Sequence, residues 1–224
     1  MNQILTVLIF ISLNIFSLSA TATSEDRLGQ ARLFLGSTQT QPTELNTELA
    51  AQGLKKVDLN NKFGVEITFP FSDKLSGGLR YSKYLISQDE INSSSATDYK
   101  VGIDQDIAAL VGRFIFYKTE FLHLDTVLGV GGSNTNYEIK TATQNGSLTK
   151  KGTPFASLYS TGGVSLALGK EKYFFVIEGG YESQKIDSFD RSGTINSNVK
   201  SIDLSGPYLT IGFMFEGIPI SKGK

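Results

Sequence analysis

The stretch that most constrains the fold is Ala108–Gly132, AALVGRFIFYKTEFLHLDTVLGVGG, two alternating runs joined by the short polar connection Lys118-Thr119-Glu120. Phe114, Phe116, Leu122, Leu124 and Leu128 share one parity, and Arg113, His123 and Asp125 share the other. A period of two is the period of β-strands, whose successive side chains point to opposite faces. One face therefore carries Phe and Leu, and the other carries a cation, an imidazole and a carboxylate. With the apolar face outward, this is the inverted pattern of a small transmembrane β-barrel.

The same pattern recurs along the chain. Strands are expected at Arg27–Ser37, Lys62–Phe71, Leu75–Ile86, Tyr99–Tyr117, Phe121–Asn136, Thr153–Leu168, Tyr173–Gln184 and Ser201–Phe215. Tight turns at Ser72-Asp73-Lys74, Lys118-Thr119-Glu120 and Gly169–Lys172 alternate with polar loops at 38–61, 87–98, 138–152 and 185–200. The first loop contains a helix-permissive piece, Thr43–Leu54. Eight strands with short turns at one end and long loops at the other are the arrangement of outer-membrane barrels. Aromatics gather at the short-turn end: Phe69, Phe71, Phe116, Tyr117, Phe121, Tyr173, Phe174, Phe213 and Phe215. That is where an interfacial girdle belongs.

Composition removes several alternatives. The net charge of −1 gives no reason to expect nucleic acid as a partner, and the absence of Cys excludes disulfides and thiolate metal sites. One His leaves little room for a zinc centre, so no metal or cofactor is expected. Ile4–Leu18 is an apolar run followed by Ala20-Thr21-Ala22, which reads as a secretory signal peptide over residues 1–22 with an A-x-A cleavage site. The barrel domain is then 23–215, with a short tail at 216–224 in place of a further domain.

These features resemble the eight-stranded bacterial outer-membrane barrel family that contains the OmpA transmembrane domain, OmpX and OmpW. The resemblance covers residues 27–215 and rests on the GxGG-containing strand Val127–Gly132, the LYSTGGVSLALG strand and the final YLTIGFMF. It implies an all-β, antiparallel up-and-down fold in the bacterial outer membrane. It also implies outer-membrane lipid, lipopolysaccharide and the barrel-assembly machinery as partners. The family usually ends on an aromatic that assists assembly, whereas here Phe215 is followed by nine residues.

Parity also sets the interior. Hairpin partners share a face, so Glu66 is expected opposite Arg80 across a turn at Asp73, and Arg113 opposite Asp125 across a turn at Thr119. Asp104 and Asp106 have the other parity from Arg113 within one strand, which suggests a β-bulge near Ala108-Ala109 that brings all three inward. The lumen then holds Arg32, Glu66, Arg80, Asp104, Asp106, Arg113, His123, Asp125 and Glu178, with Glu182 as a further candidate. An eight-stranded barrel is just wide enough for side chains to fill it, so a hydrogen-bonded plug is expected and not a pore.

Candidate chemistry is sparse. His123-x-Asp125 has the residue types of an acid/base pair, and Asp104-x-Asp106 those of an oxygen-ligated cation site; each reads more simply as part of the lumen network. The pairs Gly131-Gly132, Gly162-Gly163 and Gly179-Gly180 are expected to relieve crowding in a narrow barrel. Lys150-Lys151 is placed in a surface loop, and Pro207 at a bulge or a non-paired position. The expectation is a non-enzymatic barrel with a structural or surface-interaction role, presenting its loops to an extracellular ligand. The alternative is a narrow conduit for small hydrophobic molecules, as in OmpW-like proteins, which would need an apolar funnel in the outer half of the lumen.

Overall fold

The computed structural model describes residues 28–51, 53–92, 97–141, 146–152, 157–187, 189–193 and 199–219; the expected signal peptide and residues 220–224 of the tail lie outside them. In chain order the elements are β1 (Leu28–Gln39), α1 (Thr43–Ala51), β2 (Leu59–Pro70), β3 (Leu75–Asn92), β4 (Thr97–Lys118) and β5 (Leu122–Thr141). They continue with β6 (Gly146–Gly152), β7 (Leu158–Lys170), β8 (Tyr173–Ile186), β9 (Phe189–Gly193), β10 (Ile202–Asp203) and β11 (Gly206–Pro219).

Eight of these strands make the wall, in the order β1-β2-β3-β4-β5-β7-β8-β11, every neighbouring pair antiparallel. The sheet closes because β11 pairs back onto β1 from Leu28↔Pro219 to Thr38↔Tyr208. Crossing the ladders from Gln30 through Thr68, Gly78, Val111, Gly129, Thr161 and Glu182 leads to Gly206, two residues before the partner of Thr38. The circuit thus meets β1 level with Thr40, ten residues above its start. That stagger tilts the strands by roughly 40°, so each residue climbs ~2.5 Å along the barrel axis.

The short turns are stabilised locally. The Ser72 hydroxyl accepts the Leu75 N–H at 3.0 Å, and the Thr119 hydroxyl accepts the Leu122 N–H at 3.0 Å, hydroxyl-to-backbone bonds typical of Ser/Thr turns. In the β7–β8 turn Glu171 takes a positive φ of 60°, as two-residue hairpins demand.

Glycine matters where strands approach most closely. A Cβ on Gly78 would lie 1.8 Å from the Ile67 carbonyl oxygen. In the three glycine pairs one member is spatially required: a Cβ on Gly131, Gly163 or Gly180 would come within 2.1–2.7 Å of a neighbouring strand. Their partners Gly132, Gly162 and Gly179 would meet nothing nearer than 3.4 Å.

Burial alternates along the wall with apolar side chains outward. Leu33 is 64% exposed, Leu128 70% and Tyr173 71%, and Leu35, Phe63, Ile67, Leu110, Phe114, Val164, Leu209, Ile211 and Phe213 join the same outer surface. A water-soluble monomer does not expose so continuous an apolar band; it is the outer face of a transmembrane barrel. From Phe71, just past the end of β2, to Phe63 within it the band climbs ~20 Å. No helix among the described residues is long and apolar enough to cross a membrane.

Several expectations are corrected. The β3–β4 register runs unbroken from Leu75↔Phe114 to Asn92↔Thr97, so no bulge occurs at Ala108-Ala109; the β4–β5 ladder shifts instead between Ile115 and Tyr117. Asp104 and Asp106 therefore stay on the outer face, where Lys83 meets Asp104 at 2.8 Å and Asp106 at 3.4 Å. The shift also puts Arg113 opposite Val127, two residues from Asp125. Phe174 points inward and is buried, outside the girdle. Pro207 pairs in register with Tyr181 at the start of β11, beyond the last β1 pair, where its missing N–H is tolerated without a bulge. The expected loops carry structure of their own: β3 and β4 extend to Asn92 and from Thr97, Lys150 and Lys151 fall in β6, and β11 continues to Pro219.

Candidate functional site

The lumen is built in layers, each supplied by inward positions of the tilted strands. At the short-turn end Ala167, Phe174, Val176 and Met214 form an apolar cluster. The buried His123 ring lies 4.3 Å from the Phe174 ring, and its Nδ1 is 3.6 Å from Glu216 Oε1. Glu216, placed in the tail by the sequence reading, belongs to β11 and also accepts bonds from Gln30 at 2.6 Å and Lys118 at 3.0 Å.

Above this layer lies the charge network. Arg113, 1% exposed, reaches three carboxylates: Glu66, Asp125 and Glu178. Arg80 donates to Glu66 at 2.7 Å and to Glu178 at 2.8 Å, with Glu66 and Arg80 directly opposite in register. Arg32 donates to Asp125 at 2.9 Å and to Ser165 at 3.0 Å, and Tyr208 donates to Glu178 at 3.0 Å. The Arg80 guanidinium also sits 5.1 Å from the centre of the Phe34 ring. Buried charges of this kind are tolerable because each is paired and hydrogen-bonded.

A second tier, some four residues higher, centres on Lys62 and Glu182. Lys62 Nζ meets both Glu182 oxygens at 2.9 Å, and Thr38, Tyr84 and Tyr159 donate to the same carboxylate. Lys62 also lies 4.0 Å from the centre of the Tyr208 ring, a cation–π contact. Across both tiers, four buried cations (Arg32, Lys62, Arg80, Arg113) balance four buried carboxylates (Glu66, Asp125, Glu178, Glu182). A cavity of about 10 Å³ lined by Arg32, Arg80, Arg113 and Glu178 is room for about one water molecule.

The mouth is sealed differently. Leu45 and Leu49 of α1, with Leu54 and Val57, pack on Ile103, Tyr137, Ile186, Val199, Ile202 and Leu204 as one buried apolar cluster. Asn46 exchanges two bonds with the Val57 backbone, at 2.9 and 2.7 Å, and Glu44 Oε2 accepts the Lys200 and Ser201 N–H groups at 2.7 and 2.8 Å. Those two backbone donors, Ser201 first, hold the Glu44 carboxyl below its ordinary value of 4.5.

The structure thus brings Arg32, Glu66, Arg80, Arg113, Asp125 and Glu178 into one network, places His123 one layer below it, and leaves Asp104 and Asp106 outside the barrel. Phe71, Phe116, Tyr117, Phe121, Tyr173 and Phe213 are exposed at the short-turn end, while Phe69 and Phe215 are half-buried there. Sequence reasoning misses Lys62, which shares parity with Glu66, and Tyr84, which shares it with Arg80; Tyr159 and Tyr208 lie on β7 and β11, where the sequence reading assigns no lumen residue. Among the described residues no cluster of three or more His, Cys, Asp or Glu could hold a metal ion.

No protein-family model and no curated protein matches the chain. Among solved structures, Ail, the attachment invasion locus protein of Yersinia pestis, is similar at 18% identity. The match covers 84% of this chain and 99% of that one, at a TM-score of 0.43. The outer membrane protein OprG from Pseudomonas aeruginosa is similar at 13% identity, covering 87% and 98%, at 0.48. The outer membrane protease OmpT from Escherichia coli is similar at 12%, covering 88% and 99%, at 0.44. The barrel itself is defined by its own closed register.

Proposed function

We propose that this protein is a bacterial outer-membrane barrel with a sealed lumen, acting as a structural scaffold that presents its extracellular end to partners. The observation that supports this reading is the filling of the interior from end to end, by an apolar base, two neutralised charge tiers and an apolar cap. A conduit for hydrophobic molecules would need an apolar funnel leading inward, and the layer beneath the cap is lined by Thr40, Asn60, Gln105, Ser133, Thr135 and Gln184, all polar. Catalysis has no support in the geometry, since His123 is buried between Phe174 and Glu216.

On this reading the apolar band contacts outer-membrane lipid, the polar wall residues above it face lipopolysaccharide head groups, and the assembly machinery inserts the chain after signal cleavage. The loops and cap are the surface available to an extracellular ligand. Reconstitution in planar bilayers tests the sealed state: the expected result is no resolvable conductance from the native protein. Steady ion conductance would overturn it.

A further inference from the structure

On the outer face of β3, β4 and β5 the wall changes from apolar to polar over three successive rungs of the ladder. The lowest rung is Leu79, Leu110 and Val130, the middle one Tyr81, Ala108 and Gly132, and the upper one Lys83, Asp106 and Asn134. By the alternation of burial along each strand, all of these positions face away from the lumen. The middle rung is a shallow recess. Ala108 and Gly132 carry little or no side chain beside the exposed Tyr81 ring, and a Cβ on Gly132 would meet nothing nearer than 3.9 Å. Above it Tyr81 donates its hydroxyl to Asp106, and Lys83 lies 2.8 Å from Asp104 and 3.4 Å from Asp106. Asn136 stands opposite Asp104 one rung higher.

We propose that this recess holds a sugar of an outer-leaflet glycolipid, its hydroxyls on the carboxylates and amides and its acyl chains on the apolar rung below. The recess is continuous with the lipid-facing band, so a molecule seated there meets apolar wall beneath and polar wall above. One lysine against two aspartates leaves the patch net negative, which disfavours a bare phosphate as the bound group. Carboxylates accept bonds from hydroxyls, and Asn amides both donate and accept, which suits a neutral sugar. Tyr81 offers its ring to the C–H face of that sugar while Asp106 holds its hydroxyl. The site rests on the outer-membrane reading above and deepens it, naming the part of the head group that is bound.

The chain contains no Trp, so Leu110→Trp gives a single reporter beneath the recess, and Leu35→Trp on β1 gives a control elsewhere on the band. Each full-length variant is reconstituted in vesicles of brominated phosphatidylcholine, and fluorescence is followed as dephosphorylated lipid A replaces part of that lipid. Relief of quenching at Leu110→Trp is expected to exceed the mole fraction of lipid A by about threefold, the effect of one or two hydrogen bonds. At Leu35→Trp it should follow the mole fraction. Adding Asp104→Ala and Asp106→Ala to Leu110→Trp should remove the excess, in a barrel shown intact by its heat-modifiable gel mobility. Proportional relief at Leu110→Trp, or an excess that survives the loss of both aspartates, would overturn the proposal. An excess confined to phosphorylated lipid A and abolished by EDTA would also overturn it, assigning the site to a cation-bridged phosphate. Absence of quenching at both reporters would instead remove the outer-membrane reading on which the site depends.

Discussion

The lower and upper halves of β4 obey opposite rules. Below, Arg113 faces inward while Phe114, Leu110 and Phe116 face out; above, Ile103 and Ile107 face inward while Asp104 and Asp106 face out. The backbone register does not change between them on the β3 side. What changes is the solvent. Where the wall meets lipid, apolar side chains belong outside and charges are paired within; where it emerges into water, the ordinary burial of apolar groups returns. The α1 cap is the visible result, a small soluble-type core seated on a membrane-type barrel.

The sharpest way to break this comparison is at the hub of the lower half. Arg113→Met leaves Glu66, Asp125 and Glu178 short of a partner inside the wall, and removing one member of a buried network costs on the order of 3–5 kcal/mol. Equilibrium urea unfolding in lipid vesicles is expected to show a loss of that size; a loss under about 1 kcal/mol would mean that the network is dispensable.

A paired substitution tests the boundary itself. Leu128 and Asn134 lie on the same outer face of β5, six residues apart. Leu128→Arg is expected to destabilise by about 2–4 kcal/mol in vesicles, and Asn134→Arg by about 1 kcal/mol or less. Equal effects at the two positions would erase the boundary.

The cap is expected to unfold apart from the barrel. Leu49→Ala removes a buried side chain from α1 and weakens the cap by about 2 kcal/mol. Hydrogen exchange in Thr43–Ala51 should rise while heat-modifiable mobility stays native; loss of both would join cap and barrel into one unit.

The smallest effect concerns pH. The folded value of Glu44 is lowered, so its contribution is present above the ordinary value of 4.5 and is lost as pH falls through the lower folded value. Protease sensitivity of the cap should increase below pH 4.5 in the native protein, and Glu44→Gln should raise sensitivity at neutral pH while removing that step.

Much of the barrel was legible because lipid imposes a strict period of two over long runs, as in Lys62–Phe71 and Phe121–Leu128. The Glu66–Arg80 pairing followed from parity and turn position. The placement of Asp104 and Asp106 fails for an instructive reason: a parity conflict within one strand reads as a bulge, whereas the register is unbroken and the strand has left the membrane. The actual register shift, between Ile115 and Tyr117, sits in a uniformly apolar stretch that offers no pattern against which to detect it. The α1 cap is visible as a helix-permissive segment, but its seat depends on Ile103, Tyr137, Ile186 and Ile202, which come from four different strands.

The central claim is that β4 changes environment without changing register, and its most direct test is a single-cysteine nitroxide scan from Gly102 to Phe114, feasible because the chain contains no Cys. Labels at Leu110, Gly112 and Phe114 are expected to be accessible to oxygen dissolved in lipid. Labels at Gly102, Asp104 and Asp106 should be accessible to a water-soluble nickel complex, and those at odd positions should be immobile and shielded. Shielded, immobile labels at Asp104 and Asp106 would restore the bulge, place both carboxylates in the lumen and contradict the account.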